Sequence, residues 1–244
     1  MNADELQQKR ALRQQRKKQK KRKKMIRLLM VLGVIALIVS TVFIVKGCRA
    51  AQQRKKYNQE HPETVIRIAA AGDLNINDAV VASGGEGYDY GPAFRDVLHL
   101  LGDADVTVVN LEGNFVGAPY GTEDRSAPTQ LLTAMNEAGI DLGQLANSYS
   151  IYNGIAGLGR TISAVRAAGM EALGAYATEQ DFKDGGGYTI VEVQGVRLAF
   201  VAFTKGMDGM TLPKGSENCV NVLYKDYDST YNSVDKEKIN RILD

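Results

Sequence analysis

The chain has 244 residues, with 30 Lys/Arg against 28 Asp/Glu, two His, two Cys and no Trp. His61, His99 and the lone thiols Cys48 and Cys219 exclude an imidazole-rich zinc or two-metal centre and fit no metal-ligand spacing. The near-neutral total hides a segregation: residues 1–24 hold 11 Lys/Arg and two acids, residues 25–56 hold 6 Lys/Arg and no acid, and residues 57–244 hold 13 Lys/Arg against 26 Asp/Glu. Basic charge kept off the folded part argues against a nucleic-acid partner.

Residues 1–24 read as a basic, disordered cytoplasmic tail, drawn to anionic lipid at about 1 kcal/mol per nearby Lys or Arg. No aromatic residue interleaves its charges, so bases have nothing to stack on. Leu28 to Val45 is an eighteen-residue apolar run broken only by Gly33, Ser40 and Thr41, which places a transmembrane signal anchor over 25–46. Ten Lys/Arg fall in the fifteen residues before Met25 and five follow Val45, so the amino terminus is expected in the cytoplasm and the domain outside, at the cell membrane. The rivals are a cleaved signal peptide, for which no small-x-small site stands clear, and a lipoprotein box at Gly47-Cys48, which Lys46 disfavours. Residues 47–64 are polar, contain Pro62 and suit a short stalk.

The domain over 65–244 opens on Val65-Ile66-Arg67-Ile68-Ala69-Ala70-Ala71-Gly72-Asp73, a buried strand by its β-branched residues, with a carboxylate at its carboxyl end. That end is where open α/β sheets bind ligands. Asp73 and Asp78 are both placed to face a cation. Gly84-Gly85-Glu86-Gly87 lacks the Lys-Ser/Thr ending of a phosphate-binding loop. Phe94, Val97, Leu98 and Leu101 recur at helical spacing before Gly102, with His99 on the solvent side.

A second strand, Asp105 to Asn110, runs into Leu111-Glu112-Gly113; a helix over 128–138 precedes a third strand, Asp141 to Ala146, ending on Asn147-Ser148-Tyr149. Three strand ends bearing Asp73, Asn110, Glu112 and Asn147 point to one shared site of carboxylate and amide ligands, the chemistry of a hard divalent cation such as Mn²⁺, Mg²⁺ or Ca²⁺. A helix over 158–168 and a short strand at Met170 to Leu173 complete the strand-helix alternation of an α/β layered domain. Tyr188 to Val193 and Val196 to Phe203 flank Gln194-Gly195, a hairpin signal. Lys205 leaves the second of these strands, and with Tyr152 it is a candidate substrate contact. The last helix, 234–243, carries Ile239, Ile242 and Leu243 on one face, and no strand follows it, so the fold is expected to be incomplete at its carboxyl terminus.

Gly72-Asp73, the helix after Tyr88-Asp89-Tyr90-Gly91, Asn110-Leu111-Glu112-Gly113, Ala127-Pro128, Leu145-Ala146-Asn147 and the hairpin at Gly195 resemble the CapA family of capsule and poly-γ-glutamate synthesis proteins. The resemblance spans about 65–204. It implies an α-β-β-α sandwich like that of calcineurin-like metallophosphatases, metal positions at Asp73, Glu112 and Asn110, and a membrane-tethered part in anionic exopolymer assembly beside synthase or export subunits. The family's Asn-Asn-His, with an Asp three residues on, is replaced by Asn147, Ser148, Tyr149 and Tyr152. By the resemblance, Ser148 and Tyr149 weaken the metal-ligand and leaving-group-acid roles, and later His-bearing segments would fall beyond Asp244. Three readings stay open: an anchored exopolymer-synthesis component with a degenerate site, a metal-dependent phosphoesterase or polymer hydrolase, and a non-catalytic extracellular binding domain. The acidic domain would repel a polyanion unless a divalent cation or a local basic patch offset it.

Overall fold

The computed structural model describes residues 64–244 and, before them, Ile44, 46–49, 52, 53, 55 and 56. The tail and all of the expected membrane span except Ile44 and Lys46 lie outside the described residues. No helix among the described residues is long and apolar enough to cross a membrane. The chain divides into two units between Thr64 and Val65. In the first, the described residues from Ile44 to Lys56 are helical and exposed.

The second unit is built on a four-stranded parallel sheet in the order β1 (Ile68–Asn75), β2 (Val106–Glu112), β3 (Leu142–Gln144), β4 (Glu171–Leu173). Parallel neighbours need crossovers. They are supplied by α1 (Asp78–Ser83), α2 (Gly91–Phe94), a 3₁₀ turn at Arg95–Val97 and α3 (Leu98–Leu101) after β1, by α4 (Gln130–Glu137) after β2, and by α5 (Gly154–Ala167) after β3. Then come α6 (Glu179–Gly185), an antiparallel hairpin of β5 (Thr189–Val193) and β6 (Val196–Phe200), and α7 (Lys236–Leu243). Gln194 and Gly195 both have positive φ (51° and 78°), the conformation a two-residue type I′ turn requires.

Successive side chains of β2 point to opposite faces, and the two faces bury against different layers. Val109 and Leu111 enter the main core with Leu131, Leu132 and Met135 of α4 and Leu158, Ile162 and Val165 of α5. Val106 turns the other way and joins Leu142 and Leu173 under Val191, Val193, Leu198 and Phe200 of the hairpin. The sheet thus has helices on one face and the hairpin on the other. Gln194 also donates to Asp105, the residue before β2; that carboxylate is held below its ordinary range by the backbone N–H of Arg67 and then by this amide.

Several expectations need correction. β1 is not a buried strand: it starts at Ile68, which is 52% exposed, and Val65 ahead of it is 71% exposed. Its β-branched residues suit an edge as well as a centre, and among the described residues only β2 pairs with it. Its alanines instead line an apolar groove of about 470 Å³ with Phe94, Val97, Leu100 and Leu101. The single helix expected over Phe94 to Leu101 is broken by the 3₁₀ turn, and Val97, Leu98 and Leu100 are exposed. In α7, Asp235 caps the first turn, and the buried residues are Lys238 and Ile242, whereas Leu243 faces solvent. Lys238 is tolerated inside because its amine donates to the carbonyls of Val220 (3.0 Å) and Glu217 (3.5 Å). Burial still pulls its pKa down to about 8. Cys219 is buried and, like Cys48, free.

Candidate functional site

The parallel register aligns the strand ends that the sequence singled out. Asp73 lies opposite Asn110, and Asn75 opposite Glu112. β2 hands over Val106 to the hairpin side; two and three alternations later, past the short hairpin, the same face carries Asn110 and Glu112. The β3 end delivers Asn147 to the same place, because the chain turns immediately after Leu145 and Ala146, which are both core residues.

Asn147 is buried and its amide has a fixed orientation. Its Oδ1 accepts from the backbone N–H of Tyr149 (3.0 Å) and its Nδ2 donates to the carbonyl of Leu111 (2.8 Å). Neither backbone group can exchange roles, so the amide cannot flip. Nδ2 also donates to Asn110 Oδ1 (3.2 Å), which in turn directs the Asn110 Nδ2 outward. That nitrogen donates to Asp73 Oδ1 (2.7 Å) and Glu112 Oε1 (3.2 Å), using both of its protons. The chain from the Tyr149 N–H through the two amides to the two carboxylates therefore runs with one polarity throughout.

Two further residues join that the sequence reading missed. Asn75 donates through Nδ2 to Glu112 Oε2 (3.1 Å) and accepts at Oδ1 from Arg125 Nη1 (3.0 Å). Arg125 Nη2 donates to the Tyr149 hydroxyl (3.0 Å), and the guanidinium lies 3.9 Å from the centre of the Tyr149 ring. Asn75 was legible as the residue two along from Asp73, on the same strand face. Arg125 carried no periodic signal; it is one cation in the acidic loop Glu123-Asp124-Arg125.

The loop bearing Arg125 is tied down on both sides. Tyr152 Oη donates to the carbonyl of Glu123 (2.9 Å), Asn153 Nδ2 to that of Asp124 (3.2 Å), and the backbone N–H of Asn114 to that of Arg125 (2.7 Å). Tyr152 thus braces the loop, with its ring edge-on to Tyr149. Asp78 is occupied otherwise than expected: its carboxylate accepts from the backbone of Thr122 (2.8 Å) and closes the neighbouring loop. Lys205 is exposed, with its amine 4.5 Å from the centre of the Tyr231 ring, and no hydrogen bond joins it to the network.

The oxygens of Asn110 and Asn147 are thus engaged within the protein, which leaves Asp73 and Glu112 as the side chains that offer free oxygen lone pairs. Two carboxylates bridged by one amide fit a hard cation that keeps most of its water, in the manner of Mg²⁺. Among the described residues, no group of three or more His, Cys, Asp or Glu is gathered for a closed metal site.

This is an α/β domain whose polar site sits at the carboxyl ends of a parallel sheet, the position that fold class uses for ligands. The profile of the bacterial capsule synthesis protein PGA_cap matches residues 67–242, and the chain belongs to that family. No curated protein matches the chain.

Proposed function

We propose that this capsule synthesis protein is an anchored, extracytoplasmic component that binds an anionic exopolymer such as poly-γ-glutamate at the strand-end site, without cleaving it. The observation that carries the reading is the state of Tyr149. At the position where the resemblance implies a histidine acid, a phenol ring is stacked under Arg125, its oxygen taken by the guanidinium. The Asp73–Glu112 pair would hold a divalent cation that bridges to the polymer and relieves the repulsion of an acidic domain. The anchor rests on the apolar run over 25–46 and its basic flank. A hairpin laid on the sheet is compatible with the α-β-β-α layering of metallophosphatase-like folds.

The converging carboxylates favour one second reading, a metal-dependent phosphoesterase. Calorimetry on the full chain in detergent micelles, with poly-γ-glutamate and with or without Mg²⁺, decides between them when paired with a phosphodiesterase assay in Mn²⁺. The expected result is Mg²⁺-dependent binding and no turnover. Absence of binding in Mg²⁺ would overturn the proposal, and turnover that rises with Tyr149→His plus Ser148→Asn would replace it with the hydrolase.

A further inference from the structure

Arg125 is a half-buried cation with no carboxylate at ion-pair distance among the described residues, inside a unit rich in acidic side chains. A guanidinium has five N–H donors, and two are used here, one by Asn75 and one by Tyr149. Three remain without an acceptor among the described residues. The Tyr149 hydroxyl accepts from Arg125 and donates to nothing among the described residues, so its own proton is also free. Asn75 stands between Arg125 and Glu112 as a neutral amide and keeps the two charges from quenching each other. Arg125 adopts φ 49°, a left-handed backbone costing a non-glycine residue about 1 kcal/mol, and the bonds to its loop described above maintain it.

We propose that Arg125 and the Tyr149 hydroxyl form an oxyanion subsite that takes a carboxylate or phosphate group of the ligand, beside the carboxylate pair and independent of any cation held there. The fork of a guanidinium matches either group with two parallel hydrogen bonds, and the aromatic face fixes its plane. The subsite deepens the binding reading above and rests on it for the ligand's anionic character. It also gives the departure at Tyr149 a use: its hydroxyl, while accepting from Arg125, keeps a proton to donate to an anion.

The test is calorimetry on the full chain in detergent micelles with EDTA present, titrating glutarate in one arm and inorganic phosphate in the other. Binding in either arm is expected, and the arm that binds identifies carboxylate or phosphate. Arg125→Gln is expected to weaken it at least tenfold while leaving a separate Mg²⁺ titration unchanged within twofold. Tyr149→Phe, which keeps the stacked ring, is expected to weaken it about threefold and serves if Arg125→Gln does not fold. No binding in either arm, or wild-type affinity in Arg125→Gln or Tyr149→Phe, overturns the subsite. Asp73→Asn should abolish Mg²⁺ binding and leave the EDTA arms unchanged; loss of both would mean that the two halves are not independent. A chain that binds glutarate but not poly-γ-glutamate in Mg²⁺ would keep the subsite and sink the exopolymer reading.

Discussion

Asn147→Asp is a near-isosteric change that should damage the protein more than Asn147→Ala at neutral pH. In the wild type the Asn147 amide donates to Leu111 and Asn110 and accepts from the Tyr149 backbone. Asn147→Ala removes these three bonds and a long one to the Gln144 carbonyl (3.5 Å), and at roughly 1 kcal/mol for each of the shorter ones, plus a Tyr149 N–H left without its partner, the loss is about 2–4 kcal/mol. Asn147→Asp keeps the acceptor for Tyr149 but sets a carboxylate oxygen against the Leu111 carbonyl at a spot where Nδ2 now lies 2.8 Å away. Asn110 cannot relieve this by flipping, since its own oxygen would then face Asp73 and Glu112. An uncompensated buried charge costs on the order of 3–5 kcal/mol.

The pH dependence follows with a definite sign. The introduced carboxyl is favoured in its protonated form in the folded state, because that form can donate to the Leu111 carbonyl. Its folded pKa therefore lies above its unfolded value, so the variant recovers stability as pH falls toward the carboxylate range and loses it as pH rises. Urea unfolding followed by far-ultraviolet circular dichroism of the full chain in micelles, at pH 7.5 and about pH 5, reads both effects. If Asn147→Asp is as stable as Asn147→Ala at pH 7.5, or its deficit does not shrink at the lower pH, the fixed polarity of the network is wrong.

Gly187→Ala should loosen the seat of α7, because the residue has φ 88° and an added Cβ would meet the Ile242 side chain at 2.6 Å. A loss of about 1–3 kcal/mol in urea unfolding is expected, and Ile242→Val should recover part of it. Stability should also rise between pH 8 and 10: Lys238 has a folded pKa of about 8 against an ordinary 10.5, so across that window the unfolded chain binds more protons. Above pH 10 the trend should reverse, since burial pushes Tyr176 from 10.0 up to about 12 and the unfolded chain then loses its phenolic proton first. Comparing urea midpoints of the wild type with those of Lys238→Met checks this, and persistence of the alkaline rise in the variant would contradict it.

The parts of the fold that were readable depend on local chemistry. Gln194-Gly195 named its turn, and the β2 run named its strand, because both signals survive in a few contiguous residues. α6 was overlooked although its brackets were present: Thr178 accepts from the Asp181 N–H at the start and Gly186 takes a left-handed φ of 69° at the end. The exposure of β1 and the burial of Lys238 could not be read. The first depends on which strand pairs alongside, and the second on two carbonyls some twenty positions away in the chain. The site divides in the same way. Asp73, Asn110, Glu112 and Asn147 sit at ends of consecutive parallel strands, so topology alone brings them together. Arg125 arrives on a loop braced by Tyr152 and Asn153, a tertiary fact with no periodic trace.

The edge position of β1 makes the site mechanically lopsided. Glu112 stands on a strand paired on both sides and Asn147 is buried, whereas Asp73 rides on a strand that, among the described residues, is paired on one side, just past a register shift between Ala70 and Asp73. Amides along the outer side of β1 should therefore exchange with solvent hydrogen faster than those of β2. A ligand that spans the site would meet a stiff wall at Glu112 and a compliant one at Asp73. Adjustment to ligands of different size then falls to Asp73, and the spacing between Glu112 and Asn147 stays constant.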